Sequence, residues 1–305
     1  MKKILLAIAL ISLIPLAMSI SDVNVSLSSP PVAIVGKEFY IYVMIENLIN
    51  FNAADYCIHY NASILQIEEI YNGSINGTEI PTIFSIDNEN GTCKIIHHMG
   101  LRALNGSGNL SKIKCRAVDE GIAYLTIEGN LSDVEGNEII ASWSTATIKT
   151  TSTILKIEAP DTVSGEFYAF ISIYNVSDFN SANFDILYES YFFSIKNIEN
   201  GLINGSVINV SYNELDNELK IVGLASENIS GSGYIAKITF IPKNEGLTYL
   251  NITNVTVSNA SGMPIFVFTE NKSISIGVNP PVANFSYLPE NPTTQDLSLI
   301  HISEP

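Results

Sequence analysis

Residues 106–127 (GSGNLSKIKCRAVDEGIAYLTI) return as residues 231–252 (GSGYIAKITFIPKNEGLTYLNI), with 10 of 22 positions identical and no gap. Unrelated sequence would match at about one or two positions. In each copy a Gly-Ser-Gly turn opens an alternating stretch, a Glu-Gly turn closes it, and a second alternating stretch follows. Ile113 and Cys115 correspond to Ile238 and Phe240. Ala123, Leu125 and Ile127 correspond to Thr248, Leu250 and Ile252. Apolar residues at period two with glycine punctuation are the mark of strands. The chain reads as an all-β module made twice.

The duplication extends well beyond this stretch. Phe39, Ile41, Val43 and Ile45 share one face of a strand after Gly36, as Phe167, Ala169, Ile171 and Ile173 do after Gly165. FNAADYCIHY (residues 51–60) is matched by FNSANFDILY (residues 179–188), and Asn76-Gly77 by Asn204-Gly205 at turn positions. Each copy holds about nine short strand candidates, the pattern of a β-sandwich or jelly roll. The expected domains are residues 22–150 and 151–277, joined by the Thr-rich TATIKTTST (residues 145–153).

The ends read differently. Lys2 and Lys3, an apolar run over residues 4–16 and Ala17-Met18-Ser19 form a secretory signal over residues 1–19. No later stretch is long and apolar enough to span a membrane. Residues 278–305 begin as a Pro-rich linker (NPPVANFSYLPENPT) and end in DLSLIHISEP, an aberrant tail that reads as translated adapter sequence. The chain is expected to be truncated there.

Charge narrows the partners. With 31 acidic and 15 basic residues, the net charge is −16. Nucleic acid and anionic lipid surfaces demand Lys/Arg neutralisation, so both are excluded as partners. The 46% hydrophobic content is enough for packed cores.

The repeated unit resembles the cohesin family. The elements that carry the resemblance are residues 39–45, 51–60, Leu65-Gln66-Ile67, 106–115 and 121–127. In the second copy they are residues 167–173, 179–188, 195–198, 231–240 and 246–252. The resemblance implies a nine-stranded jelly-roll sandwich that binds a dockerin module, with calcium held in the partner's paired loops. It places the binding face on outward residues of the FNAADYCIHY strand, where alternation leaves Asp55, Cys57 and His59 outward in copy one. Asn183, Asp185 and Leu187 are outward in copy two. Asp55, His59, Asn183 and Asp185 are the candidate contacts. The family's Asp after the motif tyrosine is replaced by Asn61 and Glu189. Residues 280–293 resemble the opening of a PKD domain whose remainder is absent.

The three cysteines, Cys57, Cys93 and Cys115, all lie in copy one. Cys115 stands where copy two has Phe240 and reads as a buried thiol. The resemblance puts Cys57 and Cys93 on neighbouring strands, which makes them a candidate disulfide in an exported chain, although an odd count leaves one thiol over. Adjacent His97 and His98 point to opposite faces of a strand and make a poor metal pair. No metal site or cofactor is expected. The sequon Asn-x-Ser/Thr occurs 17 times, where chance gives about five. Asn24, Asn61, Asn76, Asn130, Asn204 and Asn251 are candidate glycosylation sites.

No nucleophile elbow, phosphate loop or zinc helix is present, and the copies share core and turn positions rather than polar constellations. The expectation is a secreted, non-catalytic cell-surface scaffold that docks a dockerin-bearing partner in a polysaccharide-related assembly. The alternatives are direct carbohydrate binding, with Tyr40 and Tyr42 as stacking residues, and a structural adhesin or spacer.

Overall fold

The computed structural model describes residues 23–277, which form strands and turns and no helix. The expected signal, linker, PKD-like opening and tail lie outside the described residues. The chain divides into two compact units, Thr153 ending the first and Ile154 beginning the second, with Phe266–Phe268 grouped in the first.

Module one contains β1 (Val23–Ser28), β2 (Val32–Ile34), β3 (Glu38–His59), β4 (Leu65–Ile75), β5 (Thr78–Ile80) and β6 (Thr82–Asp87). It continues with β7 (Thr92–His98), β8 (Leu104–Ala117), β9 (Gly121–Asp133), β10 (Glu138–Ile139), β11 (Ala141–Ser144) and β12 (Ala146–Thr151). Two layers face each other. Sheet I runs β11-β1-β3-β8-β4-β5, and sheet II runs β6-β7-β3-β9-β12-β2. β3 belongs to both: residues 38–45 pair with β8, and residues 53–59 lie between β7 and β9.

Module two contains β13 (Ile154–Glu158), β14 (Thr162–Val163), β15 (Phe167–Leu187), β16 (Phe193–Ile203) and β17 (Ser206–Leu215). β18 (Glu218–Pro242), β19 (Gly246–Asn259), β20 (Pro264–Ile265), β21 (Phe268–Glu270) and β22 (Lys272–Ile276) complete it. Its sheet I is β13-β15-β18-β16, and its sheet II is β17-β18-β15-β19-β22-β14. Both modules are jelly-roll sandwiches. Where module one has β7 and β8 separated by a turn at Gly100, module two has the single 25-residue β18.

The strands are longer than the short segments read from the sequence, because the chain turns each corner without leaving the ladder. Asn47 and Asn50 in β3, and Asn175 and Asp178 in β15, adopt positive φ, a conformation that short polar side chains tolerate. Register shifts in both strands fall at these points. The repeated Gly-Ser-Gly motif serves this corner. Ser107 Oγ accepts the Asn47 N–H at 3.1 Å, and Ser232 Oγ accepts the Asn175 N–H at 3.1 Å. A Cβ on Gly108 would stand 2.1 Å from the Ser74 carbonyl oxygen, and one on Gly233 2.1 Å from that of Leu202. Only glycine admits the neighbouring strand so closely.

Between the sheets lies an apolar core. The alternating residues expected to face inward are buried: Ile41, Val43 and Ile45; Ile113 and Cys115; Ala123, Leu125 and Ile127; and their counterparts in module two. Parallel pairs close each module near its ends: β1 with β11 and β2 with β12 in module one, and β14 with β22 in module two.

Candidate functional site

The outer face of sheet II is where the sequence-predicted contacts collect. In module one, β3 alternates: Tyr56 and Ile58 are buried, while Asp55 and His59 are exposed and Cys57 is half-buried. Strand register sets their neighbours. Asp55 stands between Ile96 of β7 and Asn130 of β9, and Cys57 between Lys94 and Glu128. Lys94 Nζ lies 3.3 Å from Asp55 Oδ2, and His59 Nε2 3.5 Å from Glu128 Oε1. Both pairs are open to water, where ion pairs orient more than they stabilise. Ala53 leaves a hollow beside Asp55, a depression of about 360 Å³ bordered by Ile96, His98, Asn130 and Ser132. Ile96 is 37% exposed at its edge.

Module two presents a different surface. Asn183 is exposed, but Asp185 is only 6% exposed and is not available as a contact. It points outward by alternation, yet a bulge in β19 at Asn254, whose φ is positive, folds the Asn254 amide over it. Nδ2 donates to Asp185 Oδ2 at 2.7 Å. The accessible surface here is apolar: Leu187, Val222 and Leu224 all project outward from β15 and β18. The clue was in the sequence, since KIVGLA (residues 220–225) carries apolar residues on both alternating sets. One set, Ile221 and Gly223, faces the core, and the other, Val222 and Leu224, is open to solvent.

The Cys57–Cys93 bridge is not formed. β3 and β7 are indeed neighbours, but Cys93 stands opposite Ile58 and is buried, whereas Cys57 stands opposite Lys94 and faces out. Side chains on opposite faces of a sheet cannot be joined. Burial pushes the Cys93 thiol up to about 12 and the Cys115 thiol higher still, so both are inert.

His97 and His98 separate as alternation requires, His97 inward and His98 outward. The inner histidine sits in a hydrogen-bonded network that sequence reasoning missed. Its Nδ1 lies 3.0 Å from the Pro81 carbonyl, which can only accept, so Nδ1 carries the proton. Nε2 then accepts from Tyr56 Oη at 2.9 Å, and Tyr56 Oη accepts from Ser111 Oγ at 2.9 Å. Desolvation lowers the His97 pKa to about 4. The network is fully interior and makes no site for a ligand. Among the described residues, no three His, Cys, Asp or Glu side chains come together to hold a metal.

Tyr40 and Tyr71 lie on the outer face of sheet I, opposite the hollow, with ring centroids 6.4 Å apart. Lys112 Nζ covers the Tyr40 ring at 4.0 Å, and Lys237 covers Tyr168 at 4.2 Å in module two. Of the sequon residues, Asn61, Asn76, Asn130 and Asn204 are exposed, and Asn24 and Asn251 half-buried. Asn76 and Asn204 donate Nδ2 to the Asn105 and Ser230 carbonyls.

The cohesin domain model matches residues 23–154 and, separately, residues 150–276. Among solved structures, the type II cohesin dyad of the adaptor scaffoldin ScaA of Acetivibrio cellulolyticus shares 15% identity over 83% of this chain and 98% of its own, with a TM-score of 0.37. A non-cellulosomal cohesin of the archaeon Archaeoglobus fulgidus shares 20% over 43% of this chain and 91% of its own, with a TM-score of 0.37. A cohesin module from a family 33 glycoside hydrolase of Clostridium perfringens shares 18% over 43% and 97%, at the same TM-score of 0.37. No curated protein sequence matches the chain. The one family model accounts for both copies and for most of the residues, and the chain therefore belongs to the cohesin family, with two cohesin domains in tandem.

Proposed function

We propose that this chain is an exported, non-catalytic scaffold in which the outer face of sheet II docks a dockerin-type protein module. The observation that carries this reading is the repetition of an accessible sheet II face in two modules whose surfaces are otherwise unlike. In module one the contacts are Asp55, His59 and Ile96 around the hollow. In module two they are Asn183, Leu187, Val222 and Leu224. The two faces select different partners, one through charge and shape, the other through apolar area. In this reading calcium belongs to the partner's loops. An extracellular polysaccharide-degrading context is part of the same proposal.

The test is titration of the full chain with a panel of isolated dockerin modules, with calcium and with a chelator. Calcium-dependent binding that weakens in Asp55→Ala or Leu224→Asp supports the reading. Failure of every dockerin, or binding indifferent to both substitutions, removes it. A second reading, sugar stacking on Tyr40 and Tyr42, has the exposure of Tyr40 in its favour, 38%. Lys112 over that ring counts against it. Retention on polysaccharide that is lost in Tyr40→Ala would restore it.

A further inference from the structure

Asn130 occupies the centre of the sheet II face. It stands directly opposite Asp55 in the β3–β9 register, borders the hollow, and is exposed. It also begins the sequon Asn130-Leu131-Ser132. No hydrogen bond to another described residue engages its side chain, whereas Asn76 and Asn204 spend their amide nitrogens on backbone carbonyls. We propose that Asn130 is a glycosylation site and that its glycan covers the outer face of sheet II in module one. The inference rests on the docking reading for its consequence, because module one then docks a protein partner only where Asn130 is bare, but the covering itself does not depend on that reading.

Timing follows from the packing. Leu131, in the middle of the sequon, is buried, and Ser132 is paired on both sides, with Ala53 of β3 and Glu138 of β10. A transferase can reach the sequon only before β9 joins the sheet, so modification accompanies export. The donor is an oligosaccharide linked to a lipid phosphate. A bond forms between Asn130 Nδ2 and the anomeric carbon, the bond from that carbon to the phosphate oxygen breaks, and the lipid phosphate leaves with the electron pair. The amide gives up one proton. Folding then proceeds unhindered, because the modified nitrogen faces water.

Module two differs at this point. Thr256 takes the place of Asn130, opposite Asn183, and begins no sequon. Its nearest unengaged sequon residue, Asn251, sits at the lower end of the face opposite Leu187. Glycosylation therefore sets a glycan at the centre of the module one face and leaves docking there to chain with a bare Asn130; in module two the nearest sequon asparagine to that centre is Asn254, at the bulge, whose amide donates to Asp185 in the folded module.

Cys57 provides a probe that needs no partner. It lies on the same face, two residues along β3 from Asp55, and the other two cysteines are buried. Chain exported by its own cells is compared with Ser132→Ala, which removes the sequon but keeps Asn130, and with wild-type chain made in a host lacking the transferase. Peptide mass spectrometry reads the occupancy of Asn130. Labelling of Cys57 by a polyethylene-glycol maleimide, relative to a small maleimide, reads access to the face. The expected result is a glycan on Asn130 and bulky labelling about tenfold slower than in either bare form, with small-reagent rates equal, since reaction follows access to the thiolate. A bare Asn130 in the exported chain overturns the proposal, as do equal bulky-reagent rates with the glycan in place. If Ser132→Ala misfolds, the unglycosylated wild type supplies the comparison. Failure of every dockerin against bare chain would remove the docking reading alone.

Discussion

The two modules solve the same interior problem in opposite ways. Module one buries Tyr56, His97 and Ser111 as a bonded polar chain, and module two has Phe184, Gly223 and Ala236 at the matching positions. All three changed together, which is the behaviour of a network in which a half-satisfied member costs more than none. Gly223 is tied to its neighbours as well, since a Cβ there would stand 2.5 Å from Ile235 Cγ2. At the other end of the core, module one has Cys115 where Phe240 of module two packs against Phe167 and Phe193 at 5.5 and 5.4 Å. One module is held partly by directional bonds and the other by aromatic area, so they should fail under different stresses.

Acid is the strongest way to separate them. His97 titrates at about 4 in the folded module and at 6.5 as a free side chain. Between those values the unfolded chain takes up protons that the folded module refuses, so stability is complete above pH 6.5, falls as pH drops, and levels off below about 4. The loss is about 3 kcal/mol. Trp143 reports it cleanly, because it is the sole tryptophan and its ring lies 6.0 Å from that of Tyr56. Its unfolding midpoint should drop between pH 7 and 4 while the other transition, followed by circular dichroism, moves much less. Equal losses in both would show that the histidine is not the cause.

Gly223→Ala should act on module two alone, at a cost of about 1–3 kcal/mol from overpacking against Ile235 and Ile208. A Trp143 transition that moves with it would mean that the modules do not unfold independently. Exchanging single residues gives the next effect. Tyr56→Phe strands His97 and Ser111, and Phe184→Tyr buries a hydroxyl without a matching partner, so each should cost about 1–2 kcal/mol although each imports the other module's residue. If either swap is neutral in denaturant unfolding, the three positions are not coupled. Smallest of all, Asp55→Ala should leave both midpoints unchanged, as its Lys94 partner is open to solvent. A measurable shift there would make the surface pair structural.

Much of the interior was legible from alternation because a sheet residue has only two directions to point. That reasoning located the buried ladder of Ile41, Val43 and Ile45 and correctly opposed His97 to His98. It went astray where a bulge or a long-range partner intervened. Asp185 points outward as the period demands, but the shift at Asn254 carries an amide over it from a strand 69 residues away. Cys57 and Cys93 lie on adjacent strands, yet a one-residue offset in register puts them on opposite faces. Nor does anything local announce that His97 would meet Tyr56 and that Tyr56 would meet Ser111, since those contacts span 41 and 55 residues. Strand length was missed for the same reason. Nothing in the local pattern marks Asn47, Asn50 and Asn175 as the points where a continuous strand bends around a corner.

The parallel pairs near the module ends have a mechanical meaning. In module one, β1 and β2 run alongside β11 and β12 through four and three residue pairs. In module two, β14 runs alongside β22. A pull on the two ends of a module drags such neighbours past one another along their length. The hydrogen bonds then share the load and break together, where an antiparallel pair opened from its tip would peel one bond at a time. Each module is thus clasped near its own ends, and a pull on those ends loads the parallel pairs in shear.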